Sequence, residues 1–326
     1  MSKSVQLLGI SNAVVDILAH VDDAFLELIG APLGSMTLID EKRAHEIYDL
    51  MGPATEMSGG SVANTVAGFA NLGGSAAYIG KVKDDQLGDI FEHDMRSLGI
   101  DIRLEAATSG SPTARCHVLI NAAGQRTMQT YLGACTELGL ADVSESTIGS
   151  PRAILLEGYL WDIPEGPDLC QKATRIAHKK GAAVALSLSD SFCVDRHRPA
   201  FIAAVDKGVD IVFADEDEMT SLFDVSTFDD VLGKIVDLDV LFVMTRSELG
   251  SVIVKGDEKI VQAATAVKKV LDSTGAGDAY TAGFLYGWTG GSPLEDCAKL
   301  GTFCATSVIQ QLGARIEKDL ISRYPG

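Results

Sequence analysis

Short apolar runs separated by stretches of helical periodicity recur along most of this 326-residue chain, and that alternation leaves few folds open. Val5–Ile10, Ala153–Leu156, Ala183–Leu188, Asp210–Phe213 and Val240–Thr245 read as strands buried on both faces, as in a parallel sheet covered by helices on either side. Helices are predicted between them. Glu41–Met51 follows a capping Asp40 and stops at Gly52; Val62–Leu72 places Val62, Val66 and Phe69 on one face and stops at Gly73; Asp85–Leu98 stops at Gly99. Strand–helix alternation predicts an α/β fold, a Rossmann-like three-layer α/β/α sandwich.

Two regions break the rhythm. Residues 16–38 and 100–132 carry alternating, Thr- and Arg-containing strands, Ala114–Ile120 and Arg126–Tyr131, around an Asn-Ala-Ala-Gly turn. They predict a small β-sheet lid hinged over the edge of a large α/β domain made of residues 1–15, 39–99 and 133–326.

Composition narrows the partners. Hydrophobic residues make up 46% and charged residues 22%, enough apolar material for a packed core. Twenty-seven basic against 45 acidic residues leave a net charge of −18, which repels phosphate backbones and anionic lipid surfaces, so neither nucleic acid nor a membrane is expected as partner. The uncharged stretch Met57–Gly80 is long enough to span a bilayer, yet its Gly, Ser, Asn and Thr content argues against that. Six scattered cysteines without zinc spacing read as reduced, packed thiols, and the N-terminus lacks a cleavage signature. A cytoplasmic protein is expected.

The segment Val270–Leu285 concentrates the chemistry. It reads as a strand end, a turn at Gly275-Ala276-Gly277, and a helix starting about Asp278. A helix start leaves backbone N–H groups unpaired at the positive end of the dipole, and small residues let a phosphate reach them. Asp278 would sit beside that anion, as phosphoryl transfer to a hydroxyl requires. Taken alone, the same residues are also compatible with a plain strand–helix turn. A Rossmann fingerprint is disfavoured because Tyr280 stands where a small residue is needed, and no Walker A sequence occurs.

Asp272-Ser-Thr-Gly-Ala-Gly-Asp278 resembles the D-[TS]-x-G-A-G-D signature of the ribokinase, or PfkB, family of carbohydrate and nucleoside kinases. Other landmarks follow in order: Gly9-Ile-Ser-Asn-Ala-Val-Val-Asp16, Ser58-Gly-Gly-Ser-Val-Ala-Asn64 with Gly73 and Gly80, Asp215-Glu-Asp-Glu218, and Thr245-Arg-Ser-Glu-Leu-Gly250. The resemblance runs from about residue 5 to 315 and implies a ribokinase-like fold with ATP and Mg²⁺ as cofactors. It implies Asp278 as catalytic base and the amides of Gly275, Ala276 and Gly277 as an anion hole. Asn12, Asp16, Gly60, Ser61 and Asn64 would bind the acceptor, and Asp215, Thr245, Gly250, Gly275 and Gly277 the ATP. Glu218 would organise Mg²⁺ through water. Asp272 and Thr274, with carbonyls near Val308 and Gly313, match the site where many members bind a monovalent cation such as K⁺. Two departures stand out: Asp215 replaces the usual Asn, and Ser247 replaces the usual Gly.

Several of these residues also admit local readings. Asn12 suits a turn, Ser61 a helix N-cap, and the Asp215–Glu218 run a solvated helix start. Ser61 after Gly-Gly, where ribokinase-like members tend to carry Lys, resembles adenosine kinases. Leu132, Ala134 and the Glu157–Trp161 strand end could wall a purine. The acceptor expected first is adenosine, phosphorylated on its 5′-hydroxyl; a sugar such as fructose or ribose is the alternative, and a non-catalytic nucleotide sensor the rival of another class. Monomer and homodimer are both compatible.

Overall fold

A computed structural model describes residues 5–326 of the chain; residues 1–4 of the expected large domain lie outside the described residues. In chain order the strands are β1 (Leu7–Ile10), β2 (Val14–His20), β3 (Met36–Leu38), β4 (Thr55–Gly59), β5 (Ala76–Ile79), β6 (Asp101–Ile102) and β7 (Ala114–Ile120). They continue with β8 (Arg126–Tyr131), β9 (Ala153–Glu157), β10 (Ala183–Ser187), β11 (Ile211–Asp215), β12 (Leu241–Thr245), β13 (Ser251–Lys255) and β14 (Glu258–Gln262). The helices are α1 (Asp23–Leu28), α2 (Glu41–Leu50), α3 (Ser61–Asn71), α4 (Gln86–Ser97), α5 (Glu145–Ile148), α6 (Gly166–Lys179), α7 (Ser191–Lys207), α8 (Glu216–Phe223), α9 (Phe228–Ile235), α10 (Ala276–Gly290) and α11 (Leu294–Val308).

The large sheet runs β14-β13-β12-β11-β10-β9-β1-β5-β6 and is parallel from β12 to β6, with an antiparallel hairpin of β13 and β14 at one edge. Alternation along each strand splits the core in two. Leu8, Ile154, Leu186, Val212 and Phe242 face one layer with Leu169, Phe201, Leu222 and Ile235 of α6–α9. Leu7, Leu155, Ala185, Phe213 and Val243 face the other with Val66, Phe91, Phe284 and Cys297 of α3, α4, α10 and α11. This is the expected α/β/α sandwich. All six cysteines are buried, as their reading as small hydrophobes requires, and no helix of the described residues is long and apolar enough to cross a membrane.

The small sheet runs β3-β8-β7-β2-β4. Its composition corrects the boundaries read from the sequence at two places. Residues 55–59, expected in the large domain, form β4 and pair with β2 through Asp16↔Met57 and Val14↔Gly59. Asp101–Ile102, expected in the lid, pairs with β5 at the edge of the large sheet. Both segments are short and half-exposed, and carry no run of apolar residues that marks a sheet by sequence alone.

The register of the small sheet sorts its two faces. Paired residues share a face, so Asp16, Cys116 and Thr130 lie together, as do Leu18, Val118 and Met128, then Ile120 and Arg126. The opposite face is covered by α1 and α2, where Leu119 packs with Leu26, Ile29 and Ile47.

Candidate active site

Asp278 occupies the first turn of α10, which begins at Ala276, two residues earlier than expected; the preceding segment is a loop instead of a strand end. Its carboxylate accepts hydrogen bonds from Ser61 Oγ at 2.7 Å and Asn64 Nδ2 at 3.1 Å. Thr65 Oγ1, one helical turn after Ser61, donates to the Asp278 carbonyl at 3.2 Å. The first turn of α3 is thus docked on the first turn of α10. Ser61 is not the N-cap of α3: Gly60 takes that place at φ 93°, which frees the hydroxyl for Asp278. Burial pushes Asp278 up to about 6, against the pull of the Ser61 and Asn64 hydrogen bonds and of Arg315. A carboxylate so placed is mostly ionised at neutral pH yet retains useful basicity.

Gly275 caps α10 at φ 74°, and a Cβ there would come within 2.8 Å of Ala314 backbone atoms. Ala276 N–H closes the turn onto Ser273 O at 3.2 Å, so that amide is partly used, contrary to the expectation that it serves the anion. The Gly275, Gly277 and Asp278 amides have no backbone acceptor among the described residues. They point the positive end of a 15-residue helix at whatever binds there.

A cavity of about 840 Å³ opens over this helix start, lined by Gly275, Gly277 and Asp278, by Thr245 and Gly250, and by Asp215 and Glu218. Its volume suits a nucleotide. Thr245 ends β12; Gly250, at φ 89°, starts the turn into β13. Ser247 adopts φ 47° without being glycine, so the loop keeps a left-handed backbone despite the substitution. Asp215 and Glu218 form a capping box at α8: Glu218 N–H donates to Asp215 at 2.8 Å and Asp215 N–H to Glu218 at 2.9 Å. Within this run Asp215 and Asp217 are exposed, as a solvated helix start requires, whereas Glu218 is only 8% exposed, and burial, with Asp215 beside it, pushes it up to about 8.

Of the residues expected to bind the acceptor, Ser61 lines the same cavity, whereas Asn12, Asp16, Gly60 and Asn64 do not. Asn12 and Asp16 do not share one strand end: Asn12 sits in the crossover after β1, and Asp16 lies inside β2 of the small sheet. Asn12 Oδ1 is buried without a partner. The Asp16 carboxylate packs on Gly59, where a Cβ would come within 2.2 Å of it. Burial pushes Asp16 up to about 6, with Arg315 and Arg126 pulling it back and Asp278 adding to the rise. Gly60 approaches Asn12 O, 2.9 Å from where its Cβ would be. Ser61 and Asn64, expected to bind the acceptor, both hold Asp278.

The sequence profile described as pfkB family carbohydrate kinase matches residues 28–319. The chain belongs to the pfkB family. It is a kinase, a phosphotransferase with an alcohol acceptor, and the family implies use of ATP and Mg²⁺. Among solved structures, an adenosine kinase from Sinorhizobium meliloti is 46% identical with TM-score 0.91, covering 98% of each chain. A probable sugar kinase from Rhizobium etli CFN 42 is 45% identical with TM-score 0.91, covering 98% of this chain and 97% of that one. Among curated relatives, a 5-dehydro-2-deoxygluconokinase of Clostridium perfringens is 25% identical over 262 residues, 77% of this chain and 78% of that protein.

Three residues of this pfkB kinase's site carried no sequence motif. Glu157, at the carboxyl end of β9 and 1% exposed, accepts Asn12 N–H at 2.9 Å and Val62 N–H at 3.2 Å. It ties the β1–β2 crossover to the start of α3, and burial pushes it up to about 7. Its signal was a lone carboxylate closing an apolar strand at the edge where α/β sheets bind ligands. Arg315, after α11, donates to Ser58 O at 2.7 Å and Ser58 Oγ at 3.0 Å, which anchors β4, and its charge acts on both Asp16 and Asp278. Arg126, opening β8, ion-pairs with Asp272; neither arginine has a sequence signal.

The two metal expectations fare differently. One Glu218 oxygen is taken by Asp215 N–H and the other carries no hydrogen bond, in a cavity that Asp215 and Asp278 also line; the charges of Asp215, Asp190 and Asp278 all act on Glu218. Among the described residues no three carboxylate, His or Cys side chains converge as direct metal ligands, so what fits is a hydrated Mg²⁺ held by Glu218 through water. The monovalent-cation set does not fit: Asp272 accepts Thr274 N–H at 3.0 Å and Gly313 N–H at 2.8 Å, and its charge is met by Arg126.

Proposed function

We propose that this kinase transfers the γ-phosphoryl group of ATP to the 5′-hydroxyl of adenosine, with Asp278 as the base. The observation that carries the acceptor is in the small sheet. Its face bearing Asp16 and Arg126 also bears Leu18, Cys116, Val118 and Met128. A hydroxyl-binding carboxylate beside an apolar stripe suits a ribose joined to a flat purine. The 46% identity to an adenosine kinase over nearly the whole chain supports the same reading.

In this mechanism the triphosphate lies in the 840 Å³ cavity with its terminal group at the start of α10. The unpaired Gly275, Gly277 and Asp278 amides stabilise charge on the transferring group. Ser61 and Asn64 hold the Asp278 carboxylate, which accepts the proton of the attacking hydroxyl. Asp16 and the unpaired Asn12 oxygen hold the ribose hydroxyls. Glu218 would hold Mg²⁺ through water, and the ion when bound neutralises phosphate charge.

A sugar acceptor is the second reading, favoured by the 45% identity to a probable sugar kinase. A sugar acid would bring its carboxylate near Asp16, Glu157 and Asp278, where Arg315 and Arg126 already serve as counter-charges to Asp16. Coupled assays of ADP release with adenosine, ribose, fructose and a sugar acid decide the matter. Adenosine is expected to give the largest kcat/KM; ribose or fructose outrunning it would overturn the reading.

A further inference from the structure

Asp272 opens the loop that leads into α10, and it is 8% exposed. Its carboxylate accepts Thr274 N–H from its own loop and Gly313 N–H from the loop after α11. One buried anion therefore fixes both loops, and Gly275 of the first packs against Ala314 of the second. A buried carboxylate needs a counter-charge. Arg126 supplies it: the guanidinium donates to the same Asp272 oxygen that accepts Gly313 N–H, and its side chain is 13% exposed. Arg126 comes from the far end of β8 in the small sheet, on the face that also carries Asp16.

We propose that the Arg126 guanidinium stands in for a monovalent cation at the anion-hole loop, so that this kinase turns over without K⁺. A K⁺ ion on Asp272 would lie against a guanidinium already bound there, and like charges that close repel strongly out of water. The planar fork also binds the carboxylate directionally, which a spherical ion does not. Because the charge rides on the small sheet, the counter-charge of the loop before α10 is in place only with that sheet. Arg126 is thus a positioning residue, acting on the anion hole through Asp272.

The inference rests on the phosphotransferase reading, and its test has one arm that needs no acceptor. Initial rates with the best acceptor of the panel are compared in KCl and choline chloride at one ionic strength, on the order of 0.1 M. Wild-type rates are expected to agree within about twofold, whereas Arg126→Gln falls at least about tenfold in choline chloride and recovers in part with KCl. Arg126→Lys, which keeps a cation, stays insensitive to K⁺. In the second arm, the rise in melting temperature given by MgADP is the same in both salts for wild type and larger in KCl for Arg126→Gln. Wild-type activation by K⁺ of severalfold, or an Arg126→Gln protein equally indifferent to the salt, overturns the proposal. If Arg126→Gln does not fold, the wild-type comparison decides alone; if no acceptor is turned over, the melting arm decides.

Discussion

Asp278 combines burial with charge, and its neighbours show how the two are reconciled. Ser61 and Asn64 stabilise the ionised form, while burial opposes it and leaves the group pushed from 3.8 to about 6. The folded state therefore holds this proton more tightly than the unfolded chain does. Ionised Asp278 costs stability above about pH 6, and the cost vanishes below the unfolded value of 3.8. Asp278→Asn is accordingly expected to melt higher than wild type at pH 7.5, by on the order of 1–2 kcal/mol, and to lose the advantage near pH 4. Thermal unfolding at the two pH values checks this. Ser247 holds a left-handed backbone at φ 47°, a conformation that disfavours side chains. Ser247→Gly should stabilise the fold by about 1 kcal/mol or less, since relief of strain exceeds the added chain entropy. Chemical denaturation reads that difference.

The start of α10 separates two jobs that its glycines perform. Gly275 is required by the backbone, with positive φ and Ala314 pressed against it; Gly277 has open space where a Cβ would be and lines the cavity. Gly275→Ala should lose about 1–3 kcal/mol of stability together with activity. Gly277→Ala should melt like wild type yet raise the KM for ATP, because the methyl group intrudes where the phosphate comes. Comparing melting temperatures with ATP saturation curves separates the two. Elements of this kind were legible in the sequence where local signals agree. Asp40 caps α2 as expected, α4 starts within one residue of the expected Asp85, which caps it, and β7 and β8 fall on the expected residues. The first-turn position of Asp278 was legible for the same reason. What escaped was long-range: that Ser61 and Asn64 reach across to Asp278, and that Glu157 clips two backbone amides far away in sequence. No local pattern encodes such pairings.

At the scale of the molecule, the parallel sheet was readable because each of its inner strands is apolar on both faces. The small sheet was only half readable. Its β4 is a polar strand that joins through hydrogen bonds to β2 alone, and Arg126 and Arg315 bind it to the large sheet's loops through ion pairing and hydrogen bonds. Asp278 lines the 840 Å³ cavity together with Ser61, and the charge of Arg315, from the loop after α11, acts both on it and on Asp16 of the small sheet. The mechanism we propose makes one demand of this arrangement, that this carboxylate take the proton of the incoming alcohol. The most direct test is kcat/KM for the acceptor between pH 5 and pH 8, on wild type and Asp278→Asn, at roughly matched ionic strength. The account predicts a wild-type rate that falls as pH drops through about 6, and a variant slower by at least about a hundredfold with that limb gone. A variant within about tenfold of wild type that keeps the same acid limb would contradict it.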